Sequence, residues 1–297
     1  MSAPAAGTSA PRERGGARSL RLLSRGPLHA LIVLISAVWL VPSLGLLVSS
    51  FRPASLILSQ GWWTAFQTPF RFTLENYAKV FSTANMGLSF VNSLLIAVPA
   101  TTMPILIAGF AAYAFAKMRF PGRTVLLLMI IGLLVIPLQM TLIPVLKLFN
   151  LLGLTGTFAG IWLAHTGYGL PFAIYLLRNF IGELPDDIFE SASLDGATHF
   201  TIFLRLVLPT SVPALASLAI FQFMWVWNDL LVALIYLGGT PSVAPMTVTI
   251  SNLVNSYGGG WELLTSAAFV SMVLPLVVFL SLQRYFVRGI LSGAVKG

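Results

Sequence analysis

The chain has 297 residues, 57% hydrophobic and 9% charged, with a formal net charge of +8. A soluble domain holds roughly 25% charged residues, so this composition points to an integral membrane protein. The absence of cysteine excludes disulfides and thiolate-ligated metals, and the three histidines (His29, His165, His199) are too widely spaced for a local zinc motif.

Residues 1–26 are rich in Ala, Gly, Pro, Ser and Arg and are expected to be disordered. The apolar run that follows exceeds the roughly 7–15 residues of a signal-peptide core, so a retained transmembrane helix is expected over 27–50. Further apolar stretches lie at about 87–116, 124–147, 157–178, 211–237 and 263–285. Crossing a bilayer takes about 20 such residues. The expected fold class is an all-α integral membrane protein of six transmembrane helices, five of them in a core over 87–285. Pro99, Pro104, Pro137, Pro144 and Pro171 fall within these spans. A membrane bundle tolerates them where neighbours satisfy the freed carbonyls, and they either shape the packing or serve as hinges.

Lys and Arg set the orientation. With a cytoplasmic N-terminus, thirteen of the seventeen basic residues fall on the inner side, and both termini, including the tail 286–297, lie inside. The positive charge thus marks inner loops rather than nucleic-acid binding. The outer loop 51–86 carries Trp62 and Trp63, suited to the membrane interface. The other long connection is the inner loop 183–209, between helices four and five.

That loop holds five of the nine acidic residues: Glu183, Asp186, Asp187, Glu190 and Asp195. Pro185 suits a helix start, and Asp186 and Asp187 suit the positive end of its dipole. A helix is expected to about Leu194, then a turn at Asp195-Gly196, then a second helix over about 197–207 stopped by Pro209. Phe200, Phe203, Leu204 and Val207 form an apolar stripe in it. Ile188, Ala192 and that stripe are expected to pack on the bundle while Glu190 and Asp195 face the cytoplasm. A merely solvated amphipathic loop fits the same residues.

Glu190-Ser191-Ala192, Asp195-Gly196-Ala197 and Leu208-Pro209 together resemble the E-A-A…D-G-A…L-P loop of ABC importer permeases. Asn92-Ser93, AYAFAKMRFPGR (112–123), WND (227–229) and the tail YFVRGILSGAVKG (285–297) resemble the carbohydrate-uptake, maltose-permease-like members. The resemblance covers about residues 27–297; Ser191 departs from the motif's second Ala. It implies that the loop is a cytoplasmic coupling helix seated on a separate ATPase subunit, through Glu190, Ser191, Ala192, Asp195, Gly196 and Ala197. It also implies a second homologous permease, two ATPase subunits and an extracytoplasmic sugar-binding protein, in the plasma membrane of a prokaryote. The chain contains no G-x-x-x-x-G-K-[ST], so ATP and Mg would be bound by the partner ATPase and no cofactor by this subunit.

Polar residues inside spans are candidates for the substrate path. Counting about 1.5 Å per residue along straight helices, Gln139, His165, Asn228 and Asp229 reach similar depths in the outer half of the bundle, with Asn92 a turn higher. A hydroxyl-rich sugar suits such acceptors among Trp162, Tyr168, Trp225 and Trp227. Interhelical hydrogen bonds would use the same residues. Gly258-Gly259-Gly260 before Trp261 suits an outer loop that reaches a binding protein, or a plain connector. A secondary transporter and a membrane-embedded enzyme are the rival classes; Asp229 is nearly the sole intramembrane acid, and no catalytic constellation falls within the spans.

Overall fold

The computed structural model describes residues 16–83, 85–253 and 259–294, with the backbone alone for 16–25, 83 and 285–294. Residues 1–15 of the tail, Gly258 of the glycine run and 295–297 of the closing motif lie outside the described residues. All regular structure among the described residues is helical.

Helix α1 (Gly16–Ser50) starts well before residue 27, inside the segment expected to be disordered. Leu, Ala and Arg in that stretch are strong helix formers and extend the helix beyond the apolar span, which begins at Gly26. The segment 51–86 is folded where described: α2 (Ala54–Ser59), a 3₁₀ turn (Trp62–Phe66) and α3 (Glu75–Thr83) gather around Arg52. Arg52 is buried and donates to Gly61 O at 2.8 Å and Thr64 Oγ1 at 3.0 Å.

The core pairs α4 (Met86–Lys117) with α7 (Phe158–Gly182). Ala97, Ala100, Ala108 and Ala112 are buried on α4, and small residues let backbones approach closely. Thr157 caps α7, its Oγ1 accepting from Gly160 N at 3.0 Å. Three carbonyls freed by prolines find donors on other helices. Pro99, Pro104 and Pro275 remove the helical N–H partners of Leu95, Ala100 and Ser271. Those carbonyls accept from Trp162 Nε1 (2.8 Å), Gln222 Nε2 (3.1 Å) and Trp227 Nε1 (3.1 Å).

Two expected spans are broken. The stretch 124–147 is α5 (Arg123–Leu133) and α6 (Leu138–Leu151), bent by 100°. Pro137 lacks an N–H and restricts the residue before it, so the helix stops there. The stretch 211–237 is α11 (Val212–Trp227) and α12 (Leu231–Leu237). Ahead of α11, α9 (His199–Ile202), a π turn (Phe203–Val207) and α10 (Leu208–Thr210) form one rod, bent 75° from α11. Pro209 therefore lies within this rod and does not end it.

The following segment is tied down by α4 through α13 (Met246–Ser251). Asn92 Nδ2 donates to Ser242 O and Ala244 O, both at 3.1 Å, and Met246 N donates to Ser93 Oγ at 2.8 Å. Helix α14 (Trp261–Ala294) closes the bundle against α11 and α1. Among the described residues three helices, within α1, α4 and α14, are long and apolar enough to cross a membrane, and five segments are if each bent pair counts as one span.

Candidate functional site

The loop 183–209 is built on the end of α4. Lys117 Nζ donates to Leu184 O at 2.7 Å and to Asp186 Oδ1 at 2.6 Å, and lies 4.6 Å from the centre of the Phe189 ring. One ammonium thereby seats the start of α8 (Asp186–Leu194). The hydrogen bond from Lys117, and then its charge, hold the Asp186 carboxyl below the usual aspartate range. Phe189 is buried against Tyr113, and Tyr113 OH lies 3.0 Å from His199 Nδ1. Phe110 stacks on Phe203 with centroids 4.4 Å apart.

With that face committed, Asp187, Glu190, Ser191, Leu194, Asp195 and Gly196 remain exposed. Gly196 has φ +79°, a conformation that suits glycine. Ser191 Oγ donates back to Asp187 O at 2.8 Å, so its hydroxyl is spent on its own helix. Externally it resembles the alanine of the related motif.

The packing differs from expectation in two places. Ile188 is 37% exposed and Phe189 takes the inward position, while Ala192 and Ala197 are half-buried against the bundle. The apolar stripe also divides: Phe203 and Val207 are buried, Phe200 and Leu204 exposed. The π turn lengthens the helical repeat from i→i+4 to i→i+5 and moves the stripe out of phase.

Of the four polar residues considered for a substrate path, the structure brings His165 and Asp229 together and leaves Gln139 and Asn228 apart. His165 is fully buried, 3.7 Å from Asp229 Oδ2, with the Trp225 ring edge-on at 5.1 Å. Asp229 is a helix cap: Oδ1 accepts from Val232 N at 3.2 Å and Oδ2 from Ala233 N at 3.0 Å, starting α12. Asn228 is exposed and donates to Met224 O of its own helix at 2.7 Å. Gln139 is exposed on α6 and does not line the cavity beside it. Depth counted along a straight span misplaced it, because the 100° bend intervenes.

That cavity, about 430 Å³, lies between the α5–α6 bend and α7, and Leu134, Thr141, Val145, Tyr168 and Trp225 are among its lining. Thr141 Oγ1 donates to Tyr168 OH at 3.1 Å, and Tyr168 OH lies 2.6 Å from Tyr236 OH. Sequence reasoning missed this hydroxyl chain. Its signal was periodic: Leu138, Thr141, Val145 and Phe149 share one face of α6, and Gln139 is off it. Of the four aromatic residues expected to face a sugar, Trp162 and Trp227 are instead donors to freed carbonyls, while Tyr168 and Trp225 line the cavity.

Residues 29–292 match the family described as "Binding-protein-dependent transport system inner membrane component". The chain is 60% identical over 273 residues to the osmoprotective compounds uptake permease protein GgtD of Synechocystis sp., covering 91% of this chain and 92% of that one. It is 59% identical over 235 residues to the alpha-glucoside transport system permease protein AglG of Rhizobium meliloti, covering 77% of this chain and 62% of that one. A solved bacterial ABC transporter involved in the import of the acidic polysaccharide alginate shares the fold, with a TM-score of 0.70 at 20% identity over 93% of this chain and 100% of that one. The helices long and apolar enough to span a bilayer and the match across almost the whole length agree: this chain belongs to the family of inner-membrane components of binding-protein-dependent transport systems.

Proposed function

We propose that this chain is one of two homologous permease subunits of an ATP-driven importer for a small, uncharged glycoside. In this reading an extracytoplasmic binding protein delivers the substrate, and two separate ATPase subunits bind ATP and Mg. In this reading the chain crosses the inner membrane six times, through α1, α4, α5–α6, α7, α11–α12 and α14, and both termini are cytoplasmic. Helix α8 is the coupling helix, and Glu190, Ser191, Ala192, Asp195, Gly196 and Ala197 form or support the docked face.

One observation carries the reading. The acid-bearing side of α8 is open, while its base is fastened to the end of α4 by Lys117. A displacement imposed on α8 from the cytoplasm is therefore passed to the helix at the centre of the bundle. Docking of the binding protein and closure of the ATPases then favour each other reciprocally. The substrate class is supported by relatives at 60% and 59% identity, named for osmoprotective compounds and for alpha-glucosides. It is also supported by the cavity where Tyr168, Trp225 and Thr141 offer aromatic faces and hydroxyls.

The test is reconstitution of the chain with its neighbouring-gene permease, ATPase and binding protein in liposomes. Uptake of a labelled alpha-glucoside is expected only with ATP and the binding protein, and Gly196→Asp is expected to prevent co-purification of the ATPase. Uptake by the chain alone, driven by an ion gradient, would establish the rival secondary transporter.

A further inference from the structure

The turn between α4 and α5 carries a second arrangement that coupling does not use. Arg119, Arg123 and Arg178 line one depression of about 510 Å³ at the same end of the bundle as α8, together with Phe120, Gly122 and Thr124. No acidic residue is in its lining, and none of the three arginines forms an ion pair among the described residues. Their partial satisfaction is neutral: Arg123 Nη1 donates to Met118 O at 3.0 Å and Arg178 Nη1 to Asn179 Oδ1 at 3.3 Å. Arg178 Nε is buried with no partner. Helix α5 also begins here, and no side chain caps its first turn.

Three guanidinium groups and a positive helix end around one depression favour an anion shared among them, Asp186 and Glu190 lying in the adjoining depression and not in this one. Phosphate fits the need, because its oxygens accept paired guanidinium donors and backbone N–H groups together. The surroundings favour a phosphate that carries acyl chains. Val125, Leu126, Leu128 and Met129 expose an apolar face on α5 that starts at the depression and leads away from it. Basic pockets between helices at the cytoplasmic face of a membrane are where anionic headgroups bind.

We propose that this depression holds the phosphate of an anionic phospholipid of the inner leaflet, with its acyl chains lying along α5. The inference rests on the proposed cytoplasmic placement of the α4–α5 turn and not on the substrate or the ATPase. Arg119 and Arg123 also line the depression beneath α8, so the lipid sits beside the base of the coupling loop.

The experiment uses the full chain purified in neutral detergent, titrated with phosphatidylglycerol or phosphatidylcholine and read by native mass spectrometry. One saturable phosphatidylglycerol site is expected, and none for phosphatidylcholine. Affinity should fall about fivefold for each arginine removed and about a hundredfold in the R119Q/R123Q/R178Q variant, with Arg71→Gln without effect. Photoreactive phosphatidylglycerol on the wild-type chain should label residues 119–129, a readout that stands if the triple variant does not purify. Glycerol 3-phosphate added at the same concentration should not displace the lipid; displacement would assign the site to a soluble phosphate ester and overturn the lipid. Labelling elsewhere, or equal binding by the triple variant, would also overturn it. Neither readout involves transport, so failure here and failure of the importer reading are separable.

Discussion

Gln222 on α11 donates its amide to the carbonyl of Ala100 at 3.1 Å, the carbonyl that Pro104 leaves without a helical donor. The same amide lies against Gly169, where an added Cβ would come within 2.7 Å of it. One side chain thus joins α4, α7 and α11 at a site where hydrocarbon surroundings offer no water to replace it.

Replacing Gln222 by Leu is expected to cost about 1 kcal/mol, the scale of an interhelical hydrogen bond in a membrane protein. The substitution should cost less in a Pro104→Ala background, because alanine returns the missing N–H. Thermal unfolding of the four proteins of this double-mutant cycle in detergent measures the coupling. Equal costs in both backgrounds would show that the amide acts independently of the proline.

Lys117→Met should leave the chain inserted and folded but release the start of α8. Uptake is expected to drop by about tenfold or more while ATP hydrolysis by the complex continues, since a loose lever no longer moves α4; a tenfold change corresponds to about 1.4 kcal/mol of coupling. Uptake and ATPase rates measured on the same preparation separate this from simple loss of assembly.

The Asp186 carboxyl is held below its usual range by Lys117. A depressed folded-state value means that its contribution is full above the unfolded value of about 3.9 and is lost as the pH falls through the lower folded value. Amide protection factors over 184–194, taken relative to the intrinsic exchange rate at each pH, should therefore be constant from neutral pH down to about 5 and fall, relative to an Asp186→Asn variant, only in stronger acid. The effect is small in stability because Asp186 is exposed.

At Gly196 nothing stands within 4 Å of an added Cβ, so substitution there acts through φ +79° alone. Gly196→Ala should lower stability by about 1 kcal/mol and Gly196→Asn by less, because asparagine tolerates this conformation better. Melting temperatures of the two variants decide it. Equal losses would mean that the side chain, not the backbone, is at fault.

Asp229→Ala should destabilise the start of α12 by about 1 kcal/mol, the usual cost of a lost helix cap. Asp229→Asn keeps an oxygen acceptor for Val232 or Ala233 and should retain most uptake. Abolished uptake in the Asn variant with an unchanged melting curve would instead assign the carboxylate to the substrate path.

The first half of the loop 183–209 was legible from the sequence almost to the residue: Pro185, the two aspartates and Asp195-Gly196 set α8 and its turn by local chemistry alone. The inward position of Phe189 was not, because Ile188 and Phe189 are adjacent apolar residues and only the location of Lys117 and Tyr113 selects between them. The depths of the polar residues within the spans were less legible: they were placed by counting along straight helices, and the chain bends at Pro137 and at Ser211.

Composition and the spacing of apolar runs suffice to establish a multi-pass helical membrane protein, since burial in lipid demands long apolar helices and nothing else in the chain matters to that demand. Which proline-freed carbonyl meets Trp162, Gln222 or Trp227 was decided only when the helices packed. Those pairings join residues tens of positions apart, and no local preference encodes the crossing of two helices; their relative placement does.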